Sequence, residues 1–594
     1  MPFDGLFAAA VAAELNRALA DARIHKIQQP DARTLVLHCR QPGHNRRLLI
    51  SVEPGYARLH LTETQPPNPP HPPAFCMLLR KHLEPARILH VSTVGLDRIV
   101  RIVCEAVDST GRRARLALIA ELTGRHSNVI LVEEATGRIL DALKRTAPQG
   151  GARRALLPGE TYEPPPVPPK RDPRRTARED VSRLLGLQPA PQPVARTIAD
   201  LYDGFGPFAA REVLLRAGLD PEVRHGQLSP ADLERVADAL LGLATAAAEG
   251  RFQPAIVRDA AGTPVEFWAF PPMQAAGSVE LGSSPSAAAA AYYDHRLASL
   301  ALQREKQRLE RLVAAARARL ARKADNLRKD LEDAQRADEY RLYGELLTAN
   351  LHQVPRGAAV TLPNYYAGGE PVTIPLDPAL SPADNAQRYF KRYAKARAAR
   401  IAVQGQLDAT LADLAYLDQV ALHLDMADSL ADLTEIEAEL AAAGVAVEGA
   451  PPSPNPARPN GAASGDAPKP LEARTTGGAR VLIGRNNRQN DRLTLRTAQP
   501  DDIWLHVKDL PGAHVILQPQ GEVTAADLRE AAQLAAYFSK ARQSSNVAVD
   551  WTRVRHVRKP KGARPGMVIY DHHQTVYVSP DEETVKALLA MSRR

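Results

Sequence analysis

Cysteine is nearly absent: three occur in 594 residues, Cys39, Cys76 and Cys104, widely separated and without a CxxC spacing. That excludes a disulfide framework and a cysteine-built zinc finger. In surroundings such as Phe75-Cys76-Met77-Leu78-Leu79 they read as small core residues of a reducing compartment. No apolar run approaches the ~20 residues that a membrane span needs. The start, Met1-Pro2-Phe3-Asp4-Gly5, has neither a basic leader nor a signal-type core, so the expected location is cytoplasmic with no membrane partner. Also missing are a GxxxxGK[ST] loop, a GxSxG elbow and an HExxH helix, and Gly477, Gly478 and Gly484 lack dinucleotide spacing. The expectation is a chain with no cofactor, no metal site and no catalytic residues of its own, hence not an enzyme.

What is present is length and a moderate basic excess. A chain of this size divides into about three to five units. A formal charge of +8 and a pI near 9.3 favour phosphate or acidic surfaces without choosing between them.

The fold class expected is α+β and multidomain. Residues 1–170 open with an amphipathic helix at 6–22 and continue as short β-type runs at 34–39, 46–52, 57–62, 100–106, 114–121 and 129–132. Polar turns such as Asp108-Ser109-Thr110-Gly111 separate them, as in an antiparallel sheet. A Pro-rich stretch at 164–169, followed by basic residues 170–178, marks a hinge. Residues 171–253 are helical, and Gly204-Phe205-Gly206 between apolar helices suits a helix-hairpin-helix. A strand pair within 254–275 would return to complete the first sheet.

From 285 to 445 the chain carries two long helical patterns around a β-like insert at 352–381, implying an antiparallel coiled-coil hairpin. Leu302, Leu309 and Ala316 form one heptad row, Val313, Leu320 and Leu327 another, and Leu407, Leu411, Leu414, Ala421 and Leu424 a facing stripe. A helix of roughly 50 residues would reach about 75 Å. Residues 446–472 read as a flexible linker, and 473–594 as a compact α+β domain.

Several clusters carry recognition chemistry. Asp97-Arg98 joins an acceptor to a planar donor fork suited to base edges or a stacked base, although a surface ion pair would look the same. Arg80 and Lys81, with His82, would emerge on one helical turn as a phosphate-seeking cluster or a solvated face; Arg125 and His126 lie at a hairpin turn. Glycines in the hairpin could aim backbone N–H groups at phosphate, or serve packing alone. In the last domain Trp551, Arg553, Arg555, His556, Arg558, Lys559, Lys561 and Arg564 make a dense basic segment that would follow an RNA backbone. Arg485, Asn486, Asn487 and Asn490 surround a turn and are candidate RNA contacts, though such turns need no ligand. Trp504 sits in an apolar alternating strand and reads as core, and His506 and His514 as structural histidines.

The string Asp501-Asp502-Ile503-Trp504-Leu505-His506-Val507-Lys508-Asp509-Leu510-Pro511-Gly512-Ala513-His514, preceded by Gly484-Arg485-Asn486-Asn487, resembles the RNA-binding domain of the NFACT family in its bacterial RqcH type, also labelled fibronectin-binding protein A. Phe3-Asp4-Gly5-Leu6, Phe75-Cys76-Met77-Leu78-Leu79-Arg80-Lys81-His82-Leu83, Asp97-Arg98 and Glu121-Leu122-Thr123-Gly124-Arg125-His126 are similar to its N-terminal domain, which has a glycosylase-like fold; Leu362-Pro363-Asn364-Tyr365-Tyr366 is similar to its coiled-coil insert. The resemblance implies a ribosome-associated quality control factor. It would bind obstructed large ribosomal subunits, rRNA and proteins near the stalk base, that still hold peptidyl-tRNA. It would recruit alanyl-tRNA for template-free alanine tailing of the nascent chain, and act as a monomer on the ribosome. Asp97, Arg98 and Glu121, with Arg125, His126, Arg80 and Lys81, would then face tRNA. Arg485, Asn486, Asn487, Asn490, Arg553, Arg555, Arg558, Lys559 and Lys561 would face rRNA. Two other classes compete: a DNA glycosylase using the Pro2 amine, which lacks the Pro-Glu start and zinc finger of those enzymes, and a surface adhesin, which lacks an export signal.

Overall fold

The computed structural model describes residues 3–107, 111–147, 154–166, 170–334, 337–445, 469–519 and 521–592. The expected linker at 446–472 therefore lies mostly outside the described residues. So do Pro2, residues 108–110 of the expected turn and 167–169 of the Pro-rich hinge. The chain divides into two compact units, Met1–Ser299 and Leu300–Arg594.

The first unit begins with α1 (Gly5–Leu19), which buries Leu6, Phe7, Val11, Leu15 and Leu19 at helical spacing. Asp4 caps it, accepting from the Phe7 N–H at 2.9 Å. Then follow β1 (Arg23–Asp31), β2 (Thr34–Gln41), β3 (His44–Ser51), β4 (Arg58–Leu61), α2 (Ala74–Leu83), β5 (Arg87–Thr93), β6 (Ile99–Val107), β7 (Arg113–Glu121), β8 (Asn128–Glu133) and β9 (Ile139–Ala142). They build one nine-stranded sheet in the order β4-β3-β2-β1-β5-β6-β7-β8-β9, with β1 and β5 meeting at Arg23 opposite Arg87. β7 is buried on both faces: Leu116, Leu118 and Ala120 join the main core, and Ala117 and Ile119 pack with Ile99, Val103 and Leu156. All three cysteines are free and buried.

Four helices come next: α3 (Arg178–Gly186), α4 (Val194–Leu201), α5 (Pro207–Arg216) and α6 (Pro230–Ala248). The strand pair expected to complete the first sheet does not do so. β10 (Ala255–Arg258) and β11 (Pro264–Trp268) recruit β12 (Ser278–Leu281) into a separate three-stranded sheet. Its return to the N-terminal core is made by side chains. Trp268 Nε1 donates to Asp4 at 2.7 Å, and Phe267 meets Phe7 edge-on at 4.6 Å. Burial pushes the Asp4 carboxyl up to about 6.

α7 (Pro285–Ala334) leads into the second unit, where α8 (Ala337–Ala349), β13 (Ala359–Asn364), β14 (Glu370–Pro375), α9 (Pro382–Met426) and α10 (Leu430–Ala442) follow. Leu309, Val313 and Ala316 of α7 pack with Tyr416, Leu417, Val420 and Leu424 of α9, while Ala324 and Leu327 meet Leu407. Rising numbers on α7 meet falling numbers on α9, so the two helices run antiparallel. Leu411, expected on the stripe, is solvent-exposed; Tyr416, Leu417 and Val420 take up the contact instead.

The last domain is a six-stranded antiparallel sheet, assembled from β15 (Leu471–Arg474), β16 (Arg480–Ile483), β17 (Ile503–Val507), β18 (Val515–Gln518), β19 (Val547–Arg553) and β22 (Gln574–Val578) in the order β15-β16-β18-β17-β19-β22. α11 (Asn487–Arg492), α12 (Ala525–Tyr537), the strand pair β20 (Val557–Arg558) and β21 (Ile569–Tyr570), and α13 (Glu582–Met591) complete it. α12 covers one face through Ala531, Ala532, Leu534 and Ala535. Trp504, buried as expected, fills the other face with Ile516, Val554 and Val557. No helix among the described residues is long and apolar enough to cross a membrane.

Candidate functional site

Three segments of the first unit converge where α1 starts. A Cβ on Gly5 would lie 1.9 Å from the Leu96 carbonyl oxygen and 2.7 Å from Gly204 Cα, so only glycine lets these backbones touch. Gly204 has φ +83°, and a Cβ there would lie 2.6 Å from Leu96 Cβ. The Leu96 N–H donates to Asp203 Oδ2 at 2.9 Å, the Asp97 N–H to the Val94 carbonyl at 3.0 Å, and the Arg98 N–H to Asp97 Oδ1 at 2.7 Å. The helix turn at 203–206 thus fixes the backbone that presents Asp97 and Arg98, both half-buried.

Above this joint lies a cavity of about 230 Å³ lined by Asp97, Arg98, Lys170, Asp203, Gly204 and Gly206 among others. Gly206 is the N-cap of α5, so the helix's positive end opens towards the cavity. Carboxylates, a guanidinium, an ammonium and backbone donors together can grip a polar ligand from several directions. Burial, with Asp97 nearby, raises the Asp203 carboxyl above its ordinary value. Asp203 and Lys170 were not foreseen. Only their place beside the Gly204 turn and the basic hinge marked them, and folding was needed to bring them to Asp97.

Glu121 does not join them. It ends β7 with its carboxylate fully buried, accepting from Arg154 at 2.9 and 2.6 Å and from the Tyr162 hydroxyl at 2.9 Å. The expectation that it lies open beside Asp97 and Arg98 is corrected: strand alternation turns it to the sheet's other face, where Arg154 neutralises it. Arg80 is also engaged, its Nε donating to the Ile27 carbonyl at 2.8 Å. Lys81, Arg125 and His126 are exposed; Arg125 Nε donates to His126 Nε2 at 3.0 Å on a 3-10 turn.

In the C-terminal domain the asparagine-rich turn is not at the surface. Asn486, Asn487 and Asn490 are fully buried. Asn486 Nδ2 donates to Glu435 at 2.7 Å and Asn487 Nδ2 to Glu439 at 2.8 Å, while Asn490 Oδ1 accepts from the His514 N–H at 3.2 Å. Arg485 pairs with Asp428 and with buried Asp432. Arg485, Asn486 and Asn487 dock the domain on α10, while Asn490 braces the turn against the His514 backbone within the domain, and the exposed turn expected there is corrected. α9 adds to the joint: Gln419 Oε1 accepts from the Gly512 N–H at 3.0 Å. His423 is buried beside it, its imidazole pushed down to about 3 by burial and by His506.

The basic segment is exposed but largely paired. Arg553 and Arg555 share Asp501 at 2.8 and 3.1 Å, Arg558 pairs with Asp571 at 3.1 Å, and Lys559 with Asp491. Lys561 is exposed.

A family model described as NFACT N-terminal and middle domains matches residues 4–450, and one described as NFACT protein RNA binding domain matches 469–571. The chain belongs to the NFACT family. A Bacillus subtilis (strain 168) member named "Rqc2 homolog RqcH" is 38% identical over 98% of this chain and 99% of its own length. The human "Ribosome quality control complex subunit NEMF" is 36% identical over 91 residues, 15% of this chain and 8% of that one. Among solved structures, the C-terminal part of the Streptococcus suis fibronectin/fibrinogen-binding protein is 30% identical, covering 48% of this chain and 98% of that one at a TM-score of 0.38. The matched NFACT segments take in the cavity at Asp97 and the C-terminal sheet up to, but not including, its last strand, β22.

Proposed function

We propose that this NFACT chain acts in ribosome quality control, binding obstructed large ribosomal subunits that carry peptidyl-tRNA and recruiting alanyl-tRNA for template-free alanine tailing. The end-to-end likeness to the Bacillus subtilis relative carries the reading. The cavity at Asp97 and Arg98 gives it a place to act, because carboxylate and guanidinium groups held on a fixed backbone can read unpaired bases of tRNA. In this reading the antiparallel α7–α9 pair serves as a coiled-coil arm. At ~1.5 Å per residue α7 extends about 75 Å, long enough to reach between distant sites on the subunit. Peptide bonds form in the ribosome's own centre, and this chain positions tRNA in the cytoplasm without a catalytic group of its own.

The test is co-sedimentation with purified large subunits across a salt series, sequencing the bound RNA. The chain should enrich large subunits and tRNA over a mock protein. Asp97→Ala with Arg98→Ala should lower tRNA recovery about tenfold and leave subunit binding intact. Equal loss of both would show that the pair holds the fold instead of reading tRNA.

A further inference from the structure

The outer face of β1, β2 and β3, turned away from α1, is a grid of cations. Lys26 lies opposite His38, and His38 opposite Arg47; in the next row Arg23 lies opposite Arg40, and Arg40 opposite Asn45. Paired residues of an antiparallel ladder point to the same side, and rows two residues apart stand about 6.7 Å from one another. Ile24, Leu37 and Cys39, between them, point into the core. A bulge between Ile24 and Lys26 adds His25, whose ring meets that of His38 at 5.7 Å. The side chains border a cleft of about 380 Å³ lined by His25, His38, Arg40, Asn45 and Arg47, with Glu63 as its acid.

Arg47 donates to the Glu63 backbone carbonyl at 2.6 Å, not to its carboxylate. Among the described residues no ion pair engages Arg23, Lys26, Arg40 or Arg47. Like charges directly opposite each other weaken a sheet, and here Arg23 stands opposite Arg40, with Lys26 and Arg47 nearby and the Glu63 carboxylate as the acid lining the cleft. Burial together with His25, Arg47 and Lys26 holds the His38 imidazole below its ordinary value, the response of a base among cations. Folding has no use for such an arrangement, whereas a polyanion does.

We infer that this face is a second RNA-contact surface, separate from the cavity at Asp97, and that it takes the phosphodiester backbone. It rests on the RNA-binding reading above but not on that reading's site. A row of Arg and Lys side chains without Phe, Tyr or Trp among the residues of the cleft grips backbone irrespective of sequence.

The experiment uses the full chain and fluorescently labelled tRNA, with affinity measured by anisotropy across a salt series. Arg40→Gln with Arg47→Gln should weaken binding about tenfold at low salt and reduce the slope of log affinity against log salt by about 2, one for each phosphate no longer held. Arg40→Lys with Arg47→Lys should keep the slope. The thermal midpoint of the glutamine variant should stay level or rise, since repulsion is relieved; a fall would mark a structural role and overturn the inference. An unchanged slope, with Asp97→Ala/Arg98→Ala still weakening tRNA, would overturn this surface and leave the proposed function standing. No tRNA binding by the parent chain would overturn that function itself. If the glutamine variant no longer binds poly-glutamate but keeps its tRNA affinity, the face belongs to an acidic protein and the RNA inference is overturned.

Discussion

In the C-terminal domain Arg553 and Arg555 lean on Asp501, Arg558 on Asp571 and Lys559 on Asp491. On the outer face of β1–β3, Arg23, Lys26, Arg40 and Arg47 crowd together with no such partner among the described residues. This dense basic run is thus partly neutralised in place. Cations scattered between Arg23 and Arg47 become the stronger field, because the ladder brings them into register. Charge density along a chain is a poor guide to charge density on a surface.

The first way to sharpen that contrast is to remove a charge whose pairing is complete. Glu121→Ala leaves the partly buried Arg154 without its carboxylate and Tyr162 without its acceptor, and should lower unfolding free energy by about 3 kcal/mol in urea titration. Unchanged stability with lost tRNA binding would return Glu121 to the role of a reader.

A smaller effect concerns groups buried without charge. The folded-state pKa of His423 is about 3, below its ordinary value of 6.5. The stability it contributes is full above about pH 6.5 and is lost as pH falls towards 3, because the unfolded chain takes up the proton first. At pH 5 the loss is about 2 kcal/mol for this one group. Chemical denaturation at pH 7 and pH 5 should show it, and His423→Gln should reduce the difference by about that amount, leaving the share of buried His60 and His514.

Smallest is Asp501→Asn, which unpairs two exposed arginines. Stability should change by less than about 1 kcal/mol, while the salt dependence of RNA binding steepens. If affinity does not move, those arginines lie outside the RNA footprint, and the contrast between the two basic surfaces grows sharper.

Much of the fold was legible. The helix at 6–22, six of the first sheet's strands, the two long helices and the β-like insert appear close to the expected places. β1 and β5 were not legible, because bulges between Ile24 and Lys26 and between Ile88 and His90 break the period of two that marks a strand. β12 was not foreseen although Ser278-Val279-Glu280-Leu281 alternates polar and apolar residues; in the fold all four are exposed, so the alternation marks no buried face. Of the site, Asp97, Arg98 and the Gly204 turn were visible separately, and nothing in their spacing shows that Asp203 holds the loop.

By itself the sequence determined the family, the alternation of sheet and helix domains, and the apolar stripes that pair α7 with α9. These depend on local period and on motif, both of which are written along the chain. Tertiary structure alone decided which polar residues are available. It buried Glu121 against Arg154, turned Asn486 and Asn487 inward as a joint with α10 and Asn490 inward against His514, and left the cations of β1–β3 facing solvent. The physical reason is that a charged or amide side chain reads the same whether paired or free. Its partner is supplied by a segment dozens of residues away, and only the folded backbone brings the two together.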